Sequence, residues 1–307
     1  MYYATVFRII IVLGLMAASC AHATVQVFAC EPEWAALAEE IAGDKIATIS
    51  ATNALQDPHY IQARPSLIAG IRKADLLICS GAGLEVGWLP VLQGKGSNPK
   101  VQPGQPGNLV ASDYVTRLEI PAVLDRSQGD LHAQGNPHIQ TDPRNLSLVA
   151  NELAKRLQLI DPANAQYYQQ GLAAFQDKWG KAIAEWQRQA APLRGKSVVP
   201  HHKSWAYLAN WLGLVEVAAL EPKPGVPPSA AHLEALLQQL KQTPAALIIR
   251  TPYQDPQPSE WLSKQTGIPN AVLPFTVGGT EDAGNLYSLF DITIRTLLQN
   301  MEPAHAE

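Results

Sequence analysis

The chain has 307 residues, a formal net charge of −4 and 47% hydrophobic residues, which is enough apolar material for two domains with sizeable cores. The mildly acidic balance excludes the basic footprint of a nucleic-acid binder. No internal apolar run is long enough to span a bilayer.

At the start of the chain, Arg8 leads into an apolar run from Ile9 to Ala18, followed by Ala21-His22-Ala23. This is the order of a signal peptide with an A-x-A cleavage site, so residues 1–23 are expected to be removed and the mature protein exported to the periplasm. An uncleaved membrane anchor and a lipid attachment at Cys20 are the rival readings; Ala17-Ala18-Ser19 lacks the leucine usual before a lipidated cysteine. Cys30 and Cys79 then remain as an even pair in an oxidising compartment.

Val25–Cys30 reads as a buried strand, Trp34–Ile41 as a helix stopped by Gly43, and Ile46–Ala51 as a second strand. A polar loop over 52–64 carries Gln56-Asp57-Pro58-His59. Pro65 opens a helix ending near Lys73, Asp75–Cys79 is a third strand, and an apolar helix is expected from Leu84. Surface loops over 94–107 and 124–137 follow, the second holding Asp130 and His132 and ending at His138. Asp142-Pro143 caps a helix to about Leu157.

Asp161-Pro162 starts a helix of about 30 residues, with Tyr168, Leu172, Phe175, Trp179, Ile183 and Trp186 along one face until Pro192 and Gly195 end it. At roughly 45 Å it has the length of a spine between two lobes. Beyond it the alternation resumes. Strands are expected at Ser197–Pro200, Val215–Leu220, Ala246–Arg250 and Ala271–Val277, with helices over 204–212, 229–241, 259–265 and 285–298. The fold class is therefore α/β: two lobes with mainly parallel sheets (24–158 and 195–307) joined by one long rigid helix (159–194). The alternating topology lets the first and third strands be neighbours, with their ends within disulfide reach if the registers match, so a Cys30–Cys79 bridge is expected, with two buried free thiols as the alternative.

Seven histidines lie beyond residue 23. His59, His138 and His202 sit at strand ends or in loops beside prolines, and a three-imidazole set suits zinc. Singly, each is better explained as a surface or satisfied histidine. Several pieces occur together: Gln56-Asp57-Pro58-His59-Tyr60 with Arg64-Pro65-Ser66; Ala74-Asp75-Leu76-Leu77; Gly83-Leu84-Glu85 with Trp88-Leu89; Gly135-Asn136-Pro137-His138 with Asp142-Pro143-Arg144-Asn145; and His202 five residues before Tyr207. Jointly they resemble the metal-specific solute-binding proteins of ABC importers, the zinc and manganese cluster.

The resemblance implies that His59, His138 and His202 are metal ligands. His202 is preferred over His201 because its distance to Tyr207 matches the family's step. Histidine at this third position resembles the zinc members, since manganese members tend to carry a carboxylate there. The family usually has an Asp just after the last strand, but Leu273–Gly279 contains none. Asp282 is the expected fourth ligand, with Glu281 or water as alternatives. Asp130 and His132 stand as weak metal-capture candidates in a loop that is long and His-rich in some relatives. The function implied is a periplasmic zinc-binding protein, not an enzyme, that delivers Zn²⁺ to the inner-membrane permease of an ABC importer. It would act as a monomer, with a periplasmic metallochaperone as a further partner. A zinc-dependent hydrolase and a manganese-binding protein of the same fold are the alternatives. No H-E-x-x-H motif supports the hydrolase.

Overall fold

A computed structural model describes residues 24–122, 129 and 132–301. The expected signal peptide and Asp130 lie outside the described residues. The first lobe holds strands β1 (Val25–Ala29), β2 (Ile46–Ser50), β3 (Leu76–Cys79) and β4 (Asn108–Val110), all parallel in the order β2-β1-β3-β4. The second holds β5 (Ser197–Pro200), β6 (Val215–Glu216), β7 (Leu247–Arg250) and β8 (Asn270–Val272), parallel in the order β6-β5-β7-β8. The two lobes thus share one topology. In each, the strand order reverses beside the first strand, and such a point opens a crevice at the carboxyl ends.

Helices α1 (Pro32–Ala42), α2 (Pro65–Lys73), α3 (Leu89–Gly96) and α4 (Pro143–Ile160) belong to the first lobe. Proline in the first turn starts all four. The helix expected from Leu84 begins only at Leu89. Gly81, Ala82 and Gly83 all have positive φ, so the chain turns before Pro90 sets the helical first turn. The second lobe carries α6 (Ala206–Leu212), α7 (Ala230–Gln242), α8 (Pro256–Thr266) and α9 (Leu286–Met301). The strand expected over 215–220 pairs only at Val215 and Glu216.

Between the lobes runs α5 (Ala165–Gln189), 25 residues long and entered through a 3₁₀ turn at Pro162–Asn164. Asp161 makes no side-chain cap. Its carboxylate accepts from Asn164 Nδ2 and from Tyr168 Oη one helical turn further on. Tyr168, Phe175, Trp179 and Trp186 are buried along one face, while Leu172 and Ile183 are partly buried against the same core. The helix is pinned to both lobes along this stripe. Trp179 Nε1 donates to the Pro143 carbonyl at the head of α4, and Trp186 Nε1 donates to Asp291 Oδ1 in α9. Trp179 also stacks on Phe175 and meets Tyr287 and Phe290 of α9 edge-on. One apolar cluster continues from Ile78 in β3 through Trp179 to Ile249 in β7. Two smaller clusters lie on the opposite sheet faces, around Phe28 and around Val199.

The register of β1 on β3 pairs Ala29 with Ile78, which sets the next residues of both strands side by side. Cys30 and Cys79 are joined there in a disulfide, with Cα atoms 4.8 Å apart.

Candidate metal centre

Two of the expected histidines stand on the same local device. In Asp57-Pro58-His59 the Asp57 Oδ1 accepts from the His59 backbone N–H, and in Asn136-Pro137-His138 the Asn136 Oδ1 accepts from the His138 N–H, both at 3.0 Å. An Asx side chain bonding the backbone two residues on makes a rigid turn, and the intervening proline stiffens it. The His59 turn is held from outside by Trp88, whose Nε1 donates to the Pro58 carbonyl at 2.8 Å. The His138 turn is closed from behind by Asn145 Nδ2, which donates to the Ile139 carbonyl, while Asp142 caps α4. From the second lobe, Tyr207 Oη donates to the Asn136 carbonyl and accepts from Leu118 N–H. Asn136 Nδ2 in turn donates to the Lys203 carbonyl, beside His202. His202 itself leaves the end of β5.

These mounts bring three imidazoles together across the lobe boundary. One ring nitrogen each of His59, His138 and His202 lies within 4.8 Å of the other two. Ring centroids are 5.2 Å (His59–His138), 5.5 Å (His59–His202) and 5.6 Å (His138–His202) apart. Two rings are oriented by carboxylates on their outer side: His59 Nδ1 meets Asp57 Oδ1 at 2.7 Å, and His202 Nδ1 meets Glu221 Oε2 at 2.6 Å. This fixes the Nδ1–H tautomer and turns Nε2 of both rings inward, the arrangement in which an imidazole ligates a metal. Glu221 is itself held by Gly225 N–H. Burial alone would raise the Asp57 carboxyl, but the hydrogen bonds and charge of His59 outweigh it and hold it below the usual range.

His138 is the buried member, 1% exposed. Neither of its ring nitrogens has a hydrogen-bond partner among the described residues. Burial, and then the neighbouring His59, His202 and His132 rings, push its pKa well below the usual value. A neutral, desolvated imidazole with an unused lone pair facing two other such lone pairs is costly unless a cation is shared among them. Phe275 closes the back of this ring at 5.3 Å.

His201 points elsewhere, with burial lowering its pKa, and it does not join the three. Asp282 and Glu281 do not join them either. Both are exposed, because the turn before them is tight rather than loose: Gly278 N–H bonds to the Ala283 carbonyl and Gly279 N–H to the Thr276 carbonyl. Sequence reasoning did not single out the imidazole partners Asp57 and Glu221. Asp57 was readable from its place two residues before His59, whereas Glu221 lies 19 residues from His202 and left no local signal. Cys30, Cys79 and Glu85 also lie close together, but the disulfide removes both sulfurs as ligands.

The chain matches the family described as zinc-uptake complex component A, periplasmic, over residues 27–300. It is 26% identical over 274 residues to the manganese ABC transporter substrate-binding lipoprotein PsaA of Streptococcus pneumoniae, covering 86% of this chain and 85% of that one. It is 25% identical over 258 residues to the metal ABC transporter substrate-binding lipoprotein SloC of Streptococcus mutans, covering 82% and 81%. Among solved structures, its fold superposes on a crystal structure of ZnuA with a TM-score of 0.76 at 23% identity, over 91% of this chain and all of that chain. A cadmium-bound periplasmic metal-binding protein from Candidatus Liberibacter asiaticus superposes with a TM-score of 0.72 at 17% identity, over 90% and 98%. With the family match running from β1 into α9, the chain belongs to the family of periplasmic zinc-uptake complex component A proteins.

Proposed function

We propose that this protein binds one Zn²⁺ through His59, His138 and His202 and passes it to the permease of an ABC importer in the inner membrane. The coarser reading follows from family membership: a metal-binding component of an ABC importer acting outside the cytoplasm, with a transport role and no catalytic one. The observation that carries the zinc reading is the convergence of three imidazoles, with no carboxylate of the described residues joining them. Imidazole donors favour the later divalent metals, and a site for manganese gains from hard oxygen ligands. The relatives PsaA and SloC carry manganese or an unspecified metal in their names, so the donor set, rather than overall similarity, argues for zinc. Delivery from the periplasm as a monomer, with loading by a metallochaperone, completes the proposal.

Metal analysis and competition titration test it. The purified apo protein should take up one tightly held Zn²⁺ per chain, manganese should compete poorly, and zinc should raise the melting temperature by mass action. Alanine at His59, His138 or His202 should each weaken zinc severely, and His201→Ala should not. A preference for manganese, or damage from His201→Ala in place of His202→Ala, would overturn the assignment.

A further inference from the structure

We infer that Cys30, Cys79 and Glu85 form a second, redox-gated zinc site, open in the reduced chain and closed by the disulfide. This goes beyond the three-histidine reading and does not rest on it. The sulfurs of Cys30 and Cys79 and one carboxylate oxygen of Glu85 lie within 4.8 Å of one another. All three residues are buried, at 0%, 2% and 3% exposure. Glu85 is fixed by the Gly81 N–H, which donates to its two oxygens at 3.2 and 3.1 Å. Glu31 stands beside the group. Its Oε2 accepts from Ser80 Oγ at 3.1 Å, one residue after Cys79, while its Oε1 is buried without a hydrogen-bond partner among the described residues. That oxygen is the donor left for a fourth position.

Thiolate and carboxylate donors suit zinc, and the thiolates select it over hard cations. In a tetrahedral site with Zn–S bonds of about 2.3 Å, the two sulfurs stand about 3.8 Å apart. The Cα atoms of Cys30 and Cys79 are 4.8 Å apart, so the freed sulfurs reach that spacing by turning about their Cα–Cβ bonds. The gate is a two-electron step. A phosphine reductant breaks the S–S bond: its phosphorus gives up two electrons and takes the oxygen of a water, and the two protons of that water end on the cysteine sulfurs. Zn²⁺ then forms two Zn–S bonds and displaces both thiol protons to solvent. Two buried thiolates beside a carboxylate are costly without a cation to compensate them, so the site gathers charge only as the ion enters. Once the S–S bond is formed, neither sulfur is a thiolate and the donors are lost. The bridge thus has a role besides stability: it restricts the folded chain to the histidine cluster as its place for zinc.

Metal analysis of the full chain, oxidised against phosphine-reduced and handled without oxygen, tests the gate. The reduced chain should hold one zinc more than the oxidised chain, and X-ray absorption should show a Zn–S distance of about 2.3 Å in the reduced form alone. The increment is the readout, which separates this inference from the three-histidine reading: if the histidines hold no zinc, the counts become none and one in place of one and two. Glu85→Gln should weaken the added zinc by at least about 10-fold and leave uptake by the oxidised chain unchanged. Circular dichroism checks that the reduced chain keeps its fold, and zinc should raise its melting temperature by more than that of the oxidised chain. Equal zinc counts in the two redox states, an added zinc with no sulfur neighbour, or unchanged affinity in Glu85→Gln would overturn the inference. So would a reduced chain that stays unfolded with zinc present, since the three donors meet only in the fold.

Discussion

Replacing Glu33 with Gln should stabilise the protein above neutral pH and flatten its stability profile. Three carboxyls are buried where the lobes meet: Glu31, Glu33 and Glu85 are 4%, 1% and 3% exposed. Glu31 accepts from Ser80 Oγ, Glu85 from Gly81 N–H, and Glu33 from Thr276 Oγ1 in the second lobe. Burial pushes Glu33 and Glu85 up to about 7 and, with the charges of Glu85 and Glu33, holds Glu31 well above the carboxylate range. Between the unfolded value near 4.5 and about 7, the folded chain keeps protons that the unfolded chain gives up. Stability therefore falls as pH rises through that window and levels off above it. Moving one carboxyl from 4.5 to about 7 corresponds to about 3 kcal/mol against the charged form. Gln keeps the shape and the acceptor for Thr276 without the charge. Glu33→Gln should thus be more stable than the unaltered chain by up to about 3 kcal/mol at pH 8, and nearly equal to it near pH 4.5. Urea unfolding of the apo forms from pH 4.5 to 8 measures this. The difference between the two proteins is the informative quantity, because buried His138 titrates in the opposite sense: its depressed pKa costs stability as pH falls. A difference that is the same at pH 5 and pH 8, or a variant less stable at pH 8, would refute the reasoning.

Two glycines of the spine should respond oppositely to alanine. A Cβ at Gly171 would lie 2.0 Å from the Ile41 carbonyl oxygen of α1, whereas one at Gly180 meets nothing within 4 Å. Thermal melts should show Gly171→Ala destabilised by about 1–3 kcal/mol through overpacking and Gly180→Ala stabilised by up to about 1 kcal/mol through helix propensity. Loss of the Cys30–Cys79 bridge, in a double alanine variant, should cost about 4 kcal/mol by the chain-entropy argument for a loop of this length, and thiol titration of the denatured, unreduced protein should find neither cysteine free. Solution scattering of apo and zinc-loaded protein should give nearly superimposable curves, because α5 is bonded to both lobes; a large change in radius of gyration on loading would contradict this.

Much of the fold was legible because it rests on local pattern. Strands alternate with proline-started helices, and the apolar stripe of α5 carries its period through Trp186. The disulfide was legible because its half-cystines end two strands that βαβ topology makes neighbours. β4 was not: three residues, Asn108–Val110, hold no period, and only pairing with Leu77–Cys79 makes them a strand. The start of α3 was misplaced by five residues, because a positive-φ turn at Gly81–Gly83 delays it. At the centre, the three histidines that the sequence picked out do come together, and their Asx-Pro-His and His-to-Tyr settings correspond to turns and to the Tyr207 bridge. Asp282, expected as a fourth ligand, stands exposed outside the histidine group, because a closed turn carries it to the surface. Glu221 and Glu33 could not be read at all: their partners, His202 and Thr276, come close only through the tertiary fold.

The same features set where the protein can and cannot move. The spine's buried face forms one continuous core with both sheets, so hinging at α5 would have to open apolar contacts around Trp179 and break the bonds of Trp179 and Trp186 to opposite lobes. The three proposed ligands are held differently. His138 is enclosed, 1% exposed and fixed by the Asn136 and Asn145 bonds behind it. His59 and His202 are each oriented by a carboxylate at Nδ1, each ring about 10% exposed. The enclosed ring thus sits on the stiffest mount, and the two others can turn without unpacking the core. The rigid frame therefore has a local consequence: the spine keeps the three mounts in register, so any change at the histidine cluster falls to side chains and loops rather than to the lobes.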